Sequence, residues 1–402
     1  MAVSAQRAAP ARLGAALMWA AFRAVMAAIL HDRSAALLLL GAPLLYAVLY
    51  PSAYAGESVE AVPVVVVDMD RSAASRDLII RAGATQQTRI IASLASPAEA
   101  QDWLARNRAS AAILIPAGYG RAIAQGRSGQ VVLTGSGAHL LRSSSALGGI
   151  GAALGSTARE AAFAQARAAG PAAPPALGLV TRPLFNTREG YGAAVFPGVA
   201  FVIVHQSLLL GLALLAGTTR ERLGTPLSIT PAQFAGLWLA AAAIAMAQVC
   251  WFAGFVFWWQ DYPRAGAPLW QVLVAAAVFA VAITALVLLL ATLFRTRERP
   301  LQLGLGLSLP LFFLSGLTWP AAATPTPVLW LARLFPSTPG LEVMVGLNQM
   351  GGSLGDYAGA LANLALLAAV FGTLAFWRWT SPRRLLPPAR ANFSQAARRK
   401  LR

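Results

Sequence analysis

The chain has 402 residues, of which 57% are apolar and 12% charged, and its mean hydropathy is +0.60. A soluble domain is typically roughly 45–50% apolar and about 25% charged, so this composition excludes an ordinary soluble protein. The net charge of +17 comes almost entirely from arginine, and most of the arginines lie beside long apolar runs. That placement indicates membrane topology, and we expect no nucleic-acid partner.

The N-terminal segment, residues 1–33, is predicted to be cytoplasmic. Within it, Arg12–Leu30 has the composition of a helix that lies along the membrane interface, and a loose basic lead-in is the alternative. The first predicted span, residues 34–50, follows directly. Ala53-Tyr54-Ala55 fits a signal-peptidase pattern, but the basic region before the apolar run is much longer than in most signal peptides. We therefore favour an uncleaved span.

Residues 51–192 alternate β-branched runs with helical stretches, which predicts a small extracytoplasmic α/β domain inserted after the first span. Its predicted helices include 73–82, capped by Ser72, one capped by Ser96 with Glu99 in a capping box, and 138–168. Asp68 and Asp70 fit either a metal pair or capping at a strand-to-helix turn; we favour capping and predict no metal site. The predicted strands are Val62–Val67, Arg89–Ser93, Ala111–Ile115, Gln130–Leu133 and Leu177–Pro183.

Residues 193–377 contain the other predicted spans. Each is an apolar run of the length that crosses the ~30 Å hydrocarbon core of a bilayer, and none contains Asp, Glu, Lys or Arg. With residues 34–50, they predict a mainly α, polytopic membrane protein with six transmembrane helices. The five runs are Ala193–Gly217, Ala232–Trp259, Pro268–Phe294, Pro300–Trp319 and Tyr357–Trp377.

Basic residues concentrate in alternate connections between these spans. They precede span 1, separate spans 2 and 3 and spans 4 and 5, and fill a basic tail at residues 378–402, whereas the other short connections hold only Arg264 and Arg333. Because cytoplasmic loops carry the excess of Lys and Arg, both termini are predicted to be cytoplasmic.

The residues needed for an energy source within the chain are missing. Lys400 is the sole lysine and is followed by Leu401, so the sequence contains no Walker A motif. We also predict no catalytic residue in this chain. Cys250 is the only cysteine, which excludes an internal disulfide and a zinc site of paired cysteines. His205, next to Gln206, is the only titratable candidate for an ion relay inside a span. We therefore predict that the energy comes from a separate polypeptide.

Several segments together resemble ABC-2-type transporter permeases, in particular the drug-export branch that has a large external domain after the first span. The resemblance follows the family's order over most of the chain. The segments that carry it are Val62–Arg76, Arg182–Asn186 followed by Phe196-Pro197-Gly198, His205–Gly211, Arg220–Leu227, and Leu314–Gly316 through Trp319-Pro320 and Leu331–Pro336.

This resemblance implies a multi-pass permease of the bacterial inner membrane that exports a hydrophobic or amphiphilic substrate, as in drug efflux. It implies a cytoplasmic ABC ATPase partner that holds ATP and Mg²⁺, with no cofactor in this chain. It also implies a second permease copy, as a homodimer or a heterodimer with a similar permease, in contact with membrane lipid, and it allows a periplasmic adaptor.

For individual residues, the resemblance implies a re-entrant segment at residues 320–356, which four prolines interrupt. It places coupling to the ATPase in the loop after span 2, although the stretch after this loop is shorter than the family usually shows. The coupling residues are Arg220, Glu221, Arg222, Gly224 and Thr225. The substrate-path candidates are Phe196, His205, Gln206, Ser315 and Trp319. A membrane-anchored receptor or scaffold and an ion-driven carrier are the alternative functions.

Overall fold

The computed structural model describes residues 2–56, 59–168, 185–186, 190–224, 228–262, 264 and 266–381. The chain divides into a helical unit (Met1–Ala55, Leu184–Thr187 and Gly192–Arg402) and an α/β unit (Gly56–Pro183 and Arg188–Tyr191). The predicted strand Leu177–Pro183, Thr225 and all but the start of the basic tail lie outside the described residues.

The helices are numbered in chain order for both units. They are α1 (Ala2–His31), α2 (Arg33–Ala53), α3 (Ala73–Gly83), α4 (Pro97–Ala105), α5 (Tyr119–Ala124), α6 (Leu140–Ala168), α7 (Tyr191–Leu223), α8 (Pro231–Trp259), α9 (Leu269–Ala291), α10 (Arg299–Leu314), α11 (Thr326–Ala332), α12 (Ser337–Met350) and α13 (Ala358–Thr380). Short π-helical turns interrupt α2 at Leu37–Gly41 and α8 at Trp251–Val256.

The α/β unit contains a four-stranded sheet of β1 (Val62–Asp68), β2 (Thr88–Ser93), β3 (Ala111–Ile115) and β4 (Val132–Gly135). The strand order is β2-β1-β3-β4; β1 is parallel to β2 and β3, and β4 is antiparallel to β3. These strands confirm the four predictions that fall within the described residues. The last strand begins and ends two residues later than predicted, and the short helix α5 was not predicted.

Helices cover both faces of this sheet, which explains the uninterrupted valine run in β1. Val64 and Val66 pack with Leu78 of α3 and Ile150 of α6 on one face. Val65 and Val67 lie in a separate cluster on the other face, together with residues of α4. A strand buried on both faces is apolar at every position, so its sequence does not alternate.

Aspartate side chains after β1 bind backbone amides. Asp70 accepts hydrogen bonds from the amides of Gly118 (2.7 Å) and Gly120 (2.8 Å), and Asp68 accepts from Arg71 N (2.9 Å). Hydrogen bonds from Ser72 and the Gly120 amide lower the pKa of Asp70. The described residues contain no group of three or more His, Cys, Asp or Glu that could hold a metal ion. These contacts agree with the capping role favoured from the sequence.

Serine caps begin two of the helices in this unit, as predicted. Ser72 Oγ accepts from the amide of Ser75 (3.1 Å) at the start of α3, and Ser96 Oγ accepts from the amide of Glu99 (3.2 Å) at the start of α4. The carboxylate of Glu99 reaches the amide of Ala95 (3.1 Å), one residue beyond the partner expected in a capping box. Both helix starts are therefore fixed by local hydrogen bonds that the sequence encodes.

Six helical stretches among the described residues are long and apolar enough to cross a membrane. Five of them match predicted spans 1, 2, 3, 4 and 6, and the sixth is Arg12–His31 of α1. Predicted span 5 is shorter than expected, because α10 has 16 residues and ends at Leu314, a length of about 24 Å. Gly316 adopts a left-handed φ of 79° just after this end, which terminates the helix.

A polar contact inside the helical unit connects α2, α7 and α8. Gln248 donates to the carbonyl of Leu39 (2.6 Å), within the π-helical turn of α2, and accepts from Ser207 Oγ (2.7 Å). The side chain of Leu39 also packs directly on Gly211, where a larger residue would collide with it. The irregular turn in α2 is thus hydrogen-bonded by a neighbouring helix.

Helix α1 packs against the first turns of α8. A Cβ atom added to Gly236 would collide with the backbone carbonyl of Met18, so the two helices touch through their backbones. A cavity of about 370 Å³ next to this contact is lined by α1 together with the ends of α7, α8, α9 and α13. Helix α1 therefore meets the bundle at one end, and its position along a membrane surface stays a prediction.

We expect Gly236→Ala to lower the melting temperature of the detergent-purified protein. Alanine raises helix propensity, but the added methyl group must separate α1 from α8, and overpacking of this kind costs about 1–3 kcal/mol. Gly254→Ala in the same helix is the matched control, because its Cβ would have no neighbour within 4 Å. Equal melting temperatures for the two variants would contradict the packing of α1 on α8.

Candidate functional site

The candidate site lies at the end of the helical unit where α7 and α9 finish and α10 begins, which we call the basic end after Arg220 and Arg297. The loop between α9 and α10 rests directly on α7 here. A Cβ atom added to Gly217 would collide with the backbone carbonyl of Thr296, so only glycine allows this approach. The two arginines are therefore held close to the same short stretch of α7.

Arg220 is buried, with 8% of its surface exposed. Its guanidinium donates to the carbonyls of Ala291 and Phe294 (2.8 Å for Phe294), at the end of α9. It also lies 4.9 Å from the ring centroid of Trp379, whose indole nitrogen donates to Leu288 O (2.9 Å). The last carbonyls of a helix have no hydrogen-bond donor within that helix. Arg220 supplies donors to carbonyls at the end of α9 and so links α9 to α7 and α13.

Arg297 forms a bidentate ion pair with Asp32, at the junction of α1 and α2. The nitrogen–oxygen distances are 2.7 and 3.0 Å, and Arg297 also donates to Thr218 Oγ1 (3.3 Å) on α7. Asp32 in addition caps α2, because its carboxylate accepts from the amides of Ser34 (3.0 Å) and Ala35 (3.1 Å). One carboxylate thus fixes the start of α2 and holds the loop that leads into α10.

The charge state of Asp32 follows from these contacts. The hydrogen-bonded guanidinium of Arg297 is the largest influence and, with the two amides of α2, it holds the pKa of Asp32 below its ordinary value, against the opposing effect of burial. Asp32 is therefore ionised at neutral pH. This ion pair was not predicted from the sequence, although an aspartate directly before Arg33-Ser34 has the form of a helix cap.

The exposed part of the predicted coupling loop is short. Glu221 and Arg222 are exposed, and the carboxylate of Glu221 accepts from the backbone amide of Arg297 (3.1 Å). Gly224 has a left-handed φ of 64°, and its amide donates to the carbonyl of Arg220 (2.9 Å), which ends α7. Of the five predicted coupling residues, the structure thus places one inside the unit and three at the surface, and Thr225 lies outside the described residues.

The five substrate-path candidates do not gather in one place. Phe196 is fully buried among aromatic rings, and the buried Nε2 atom of His205 has no hydrogen-bond partner among the described residues. Gln206 donates to the carbonyl of Ser308 (3.2 Å) on α10. Ser315 is buried and donates to Phe312 O (2.6 Å), whereas Trp319 is 59% exposed. Phe196 and His205 therefore face the interior of the unit.

Comparison with known proteins gives one result that bears on this arrangement. A family model described as ABC-2 family transporter protein matches residues 34–377. The match begins at the start of α2 and ends in α13, so it includes Arg220 and Arg297 but neither Asp32 nor Trp379. No curated protein is similar enough to count as a match.

We expect Asp32→Asn to lower the free energy of unfolding at neutral pH by about 1–2 kcal/mol. Asparagine retains the helix cap and removes only the ion pair, and water screens the pair because the Arg297 side chain is 35% exposed. The pKa of Asp32 is lowered in the folded state, so its contribution is present at neutral pH and is lost as acid protonates the carboxyl group.

Thermal unfolding in detergent measures this effect. The difference in melting temperature between the wild type and Asp32→Asn should stay nearly constant from pH 7 down to about pH 5 and shrink as the pH falls below about 4, because the pKa of folded Asp32 lies below its ordinary value of 3.8. Glu298→Gln, which changes an exposed acid in the same loop, is the control and should have little effect at either pH. A difference that stays constant as the pH falls from about 4 to about 2 would mean that the charge of Asp32 does not stabilise the fold.

Proposed function

Because the chain belongs to the ABC-2 family of transporter proteins, we propose that it is the permease subunit of an ATP-driven exporter. Its long apolar helices make it a multi-pass membrane component of such a transporter. A separate ABC ATPase would bind ATP and Mg²⁺, and the absence of a Walker A motif from the sequence supports this division.

The basic end is the proposed cytoplasmic face, in a bacterial inner membrane with both termini in the cytoplasm. The positive-inside rule supports this orientation, since the short connections at this end contain Arg220, Arg222, Arg295, Arg297 and Arg299. The α/β unit is inserted between α2 and α7 and would then be extracytoplasmic. A periplasmic adaptor that contacts it remains a further proposal.

The single observation that carries the coupling proposal is the hydrogen bond between exposed Glu221 and the backbone of Arg297. Glu221 and Arg222 offer a charged surface to an ATPase, while Arg220 and Arg297 connect the same turn of α7 to α9, α13 and the α1–α2 junction. A displacement of the α7 end would thus move four other elements. ATP binding would drive transport through contacts that differ between two conformations of the permease.

The proposed cargo is a hydrophobic or amphiphilic compound, as in drug efflux. The route would run beside α7 and α10, where Gln206 contacts the backbone of Ser308, and towards Ser315 and Trp319. Phe196 and His205 would act by shaping the wall of this route, since both are buried within one copy of the chain. The predominance of apolar side chains in these helices supports this class of cargo.

A second permease copy would complete the route. On α10, Leu305, Leu309 and Phe313 are 70%, 65% and 62% exposed and share one face at helical spacing. Gly306 beside them has no neighbour within 4 Å, which would allow another helix to approach closely. A twofold axis near this face would give a homodimer, the commonest kind of oligomer, or the equivalent heterodimer with a similar permease.

Two substitutions of Glu221 test the coupling role. Replacement by alanine should lower substrate-stimulated ATP hydrolysis of the reconstituted complex by about tenfold, the loss expected for one charge-assisted hydrogen bond. Glutamine retains an acceptor for the amide of Arg297 but removes the charge. If Glu221 pairs with a basic residue of the ATPase, both variants should be impaired; if it acts only within the permease, glutamine should behave as the wild type.

The same proteoliposomes separate the rival functions. Export that depends on ATP and persists without a membrane potential is the expected result. Uptake or efflux that follows an ion gradient in the absence of ATP would instead identify an ion-driven carrier. A chain that binds a partner through its α/β unit and supports no transport with any ATPase would be a receptor or scaffold.

Cross-linking tests the dimer. In a Cys250→Ser background, cysteine at Leu309 should form a disulfide with its twin in membranes, because both would face the twofold axis. Leu374→Cys on α13, at a position 45% exposed, is the control and should remain uncross-linked. Cross-linking of Leu309→Cys only to a different permease would establish a heterodimer, and an active complex with one permease copy would exclude both.

A further inference from the structure

A cavity of about 650 Å³ lies between the end of α10, helices α11 and α12, and the first turns of α13. It is at the opposite end of the bundle from Arg220, since Leu317, just beyond α10, packs on Gly198 near the start of α7. Its size falls within the roughly 300–1,000 Å³ of small-molecule sites. Most of its lining is apolar or aromatic, as in ligand pockets generally.

Two opposite charges line this cavity, Arg333 just after α11 and Glu342 in α12. Among the described residues, neither side chain has a hydrogen bond or an ion pair. The guanidinium of Arg333 lies 5.9 Å from the ring centroid of Trp330, and no contact of this kind involves Glu342. Both side chains are exposed and, within the part of the chain that the structure describes, have no hydrogen-bond or ionic partner to give up, so both are available to a ligand that carries the complementary charges.

The backbone around the cavity is fixed by hydrogen bonds, so the site exists before any ligand binds. Asn363 on α13 donates to the carbonyl of Arg333 (3.2 Å), and Thr338 on α12 donates to the carbonyl of Leu314 (3.2 Å) at the end of α10. Each bond joins two different walls of the cavity. Ligand binding would therefore carry only a small entropic cost for ordering the backbone, because the backbone positions of Arg333 and Glu342 are already fixed.

Tryptophan side chains place the cavity at the level of lipid headgroups. Trp319 and Trp330 both line it and are 59% and 66% exposed. Exposed tryptophan is enriched where the bilayer meets water, and the adjoining helices α10 and α13 are apolar. The molecule available in quantity at this depth is a phospholipid, whose headgroup lies at the boundary and whose acyl chains lie below it.

We propose that this cavity binds a zwitterionic phospholipid with a primary ammonium group, such as phosphatidylethanolamine. Arg333 binds the phosphate, for which a guanidinium is well suited, and Glu342 accepts hydrogen bonds from the ammonium group. A choline headgroup offers no N–H donor to the carboxylate, and an anionic phosphatidylglycerol offers no positive charge. The inference goes beyond the proposed export function, because it holds for any cargo.

Lipid retention by the purified full-length chain, together with any ATPase that accompanies it, tests the site. We would exchange the protein into detergent with equal amounts of phosphatidylethanolamine, phosphatidylcholine and phosphatidylglycerol and count bound lipids by native mass spectrometry. The wild type should retain phosphatidylethanolamine. Arg333→Gln and Glu342→Gln should each reduce its retention about tenfold, the effect of losing one charged hydrogen bond.

Matched variants keep the test independent of folding. Arg264→Gln alters another exposed arginine outside the membrane-spanning helices and should retain the lipid as the wild type does. Arg333→Lys keeps the positive charge and should retain more phosphatidylethanolamine than Arg333→Gln. Equal elution of all variants from a sizing column would show that they fold.

Three results would overturn the proposal. The first is full retention of phosphatidylethanolamine by Glu342→Gln. The second is that phosphatidylglycerol binds best and depends on Arg333 alone, which would show a general arginine–phosphate contact. Alternatively, no lipid could bind while the substitutions change the number of permease copies, which would show that a second chain covers the cavity. None of these measurements involves ATP hydrolysis, so their failure would leave the export proposal to its own tests.

Discussion

In hydrocarbon, a backbone carbonyl without a donor costs several kcal/mol, and the helical unit supplies donors from neighbouring helices at an irregular turn and at a helix end. Gln248 binds the carbonyl of Leu39 inside the π-helical turn of α2. Arg220 and the indole of Trp379 bind carbonyls near the end of α9. Each of these donors belongs to a different helix from its acceptor, so satisfying the backbone also determines which helices are neighbours.

The same arginines serve topology and packing at once. Arg220 and Arg297 belong to the basic connections that predict orientation, yet one is buried against α9 and the other is paired with Asp32. The positive charges that predict orientation also bind nearby acceptors, namely the backbone carbonyls at the end of α9 and the carboxylate of Asp32. Consequently, the element proposed to meet the ATPase is not a separate loop, because its residues also hold the bundle together.

Local signals in the sequence predicted much of the fold. The valine run of β1, the serine caps of α3 and α4, and the apolar runs of α2, α7, α8, α9 and α13 depend on residues close together in the chain. Span 5 was predicted too long, because hydropathy continues past Leu314 whereas the left-handed Gly316 ends the helix. Composition measures apolar character and does not detect a single backbone angle.

The candidate site was less predictable. The loop after α7 was identified by resemblance, but neither the burial of Arg220 nor the role of Asp32 follows from periodicity or spacing. Contacts such as that of Gln248 with Leu39 join residues far apart in sequence. Nothing in the local sequence distinguishes Gln248 from a glutamine in an apolar helix that makes no such contact. Long-range pairing depends on the packed arrangement of the helices, which only the three-dimensional structure supplies.

The ion pair between Asp32 and Arg297 joins residues that are 265 positions apart, which has a consequence for biosynthesis. A ribosome releases the chain from its N-terminus, so Asp32 emerges long before Arg297 has been synthesised. During that interval the junction of α1 and α2 has its helix cap but not its ionic partner. The first part of the protein to enter the membrane therefore receives its final anchor only after most of the chain has been made.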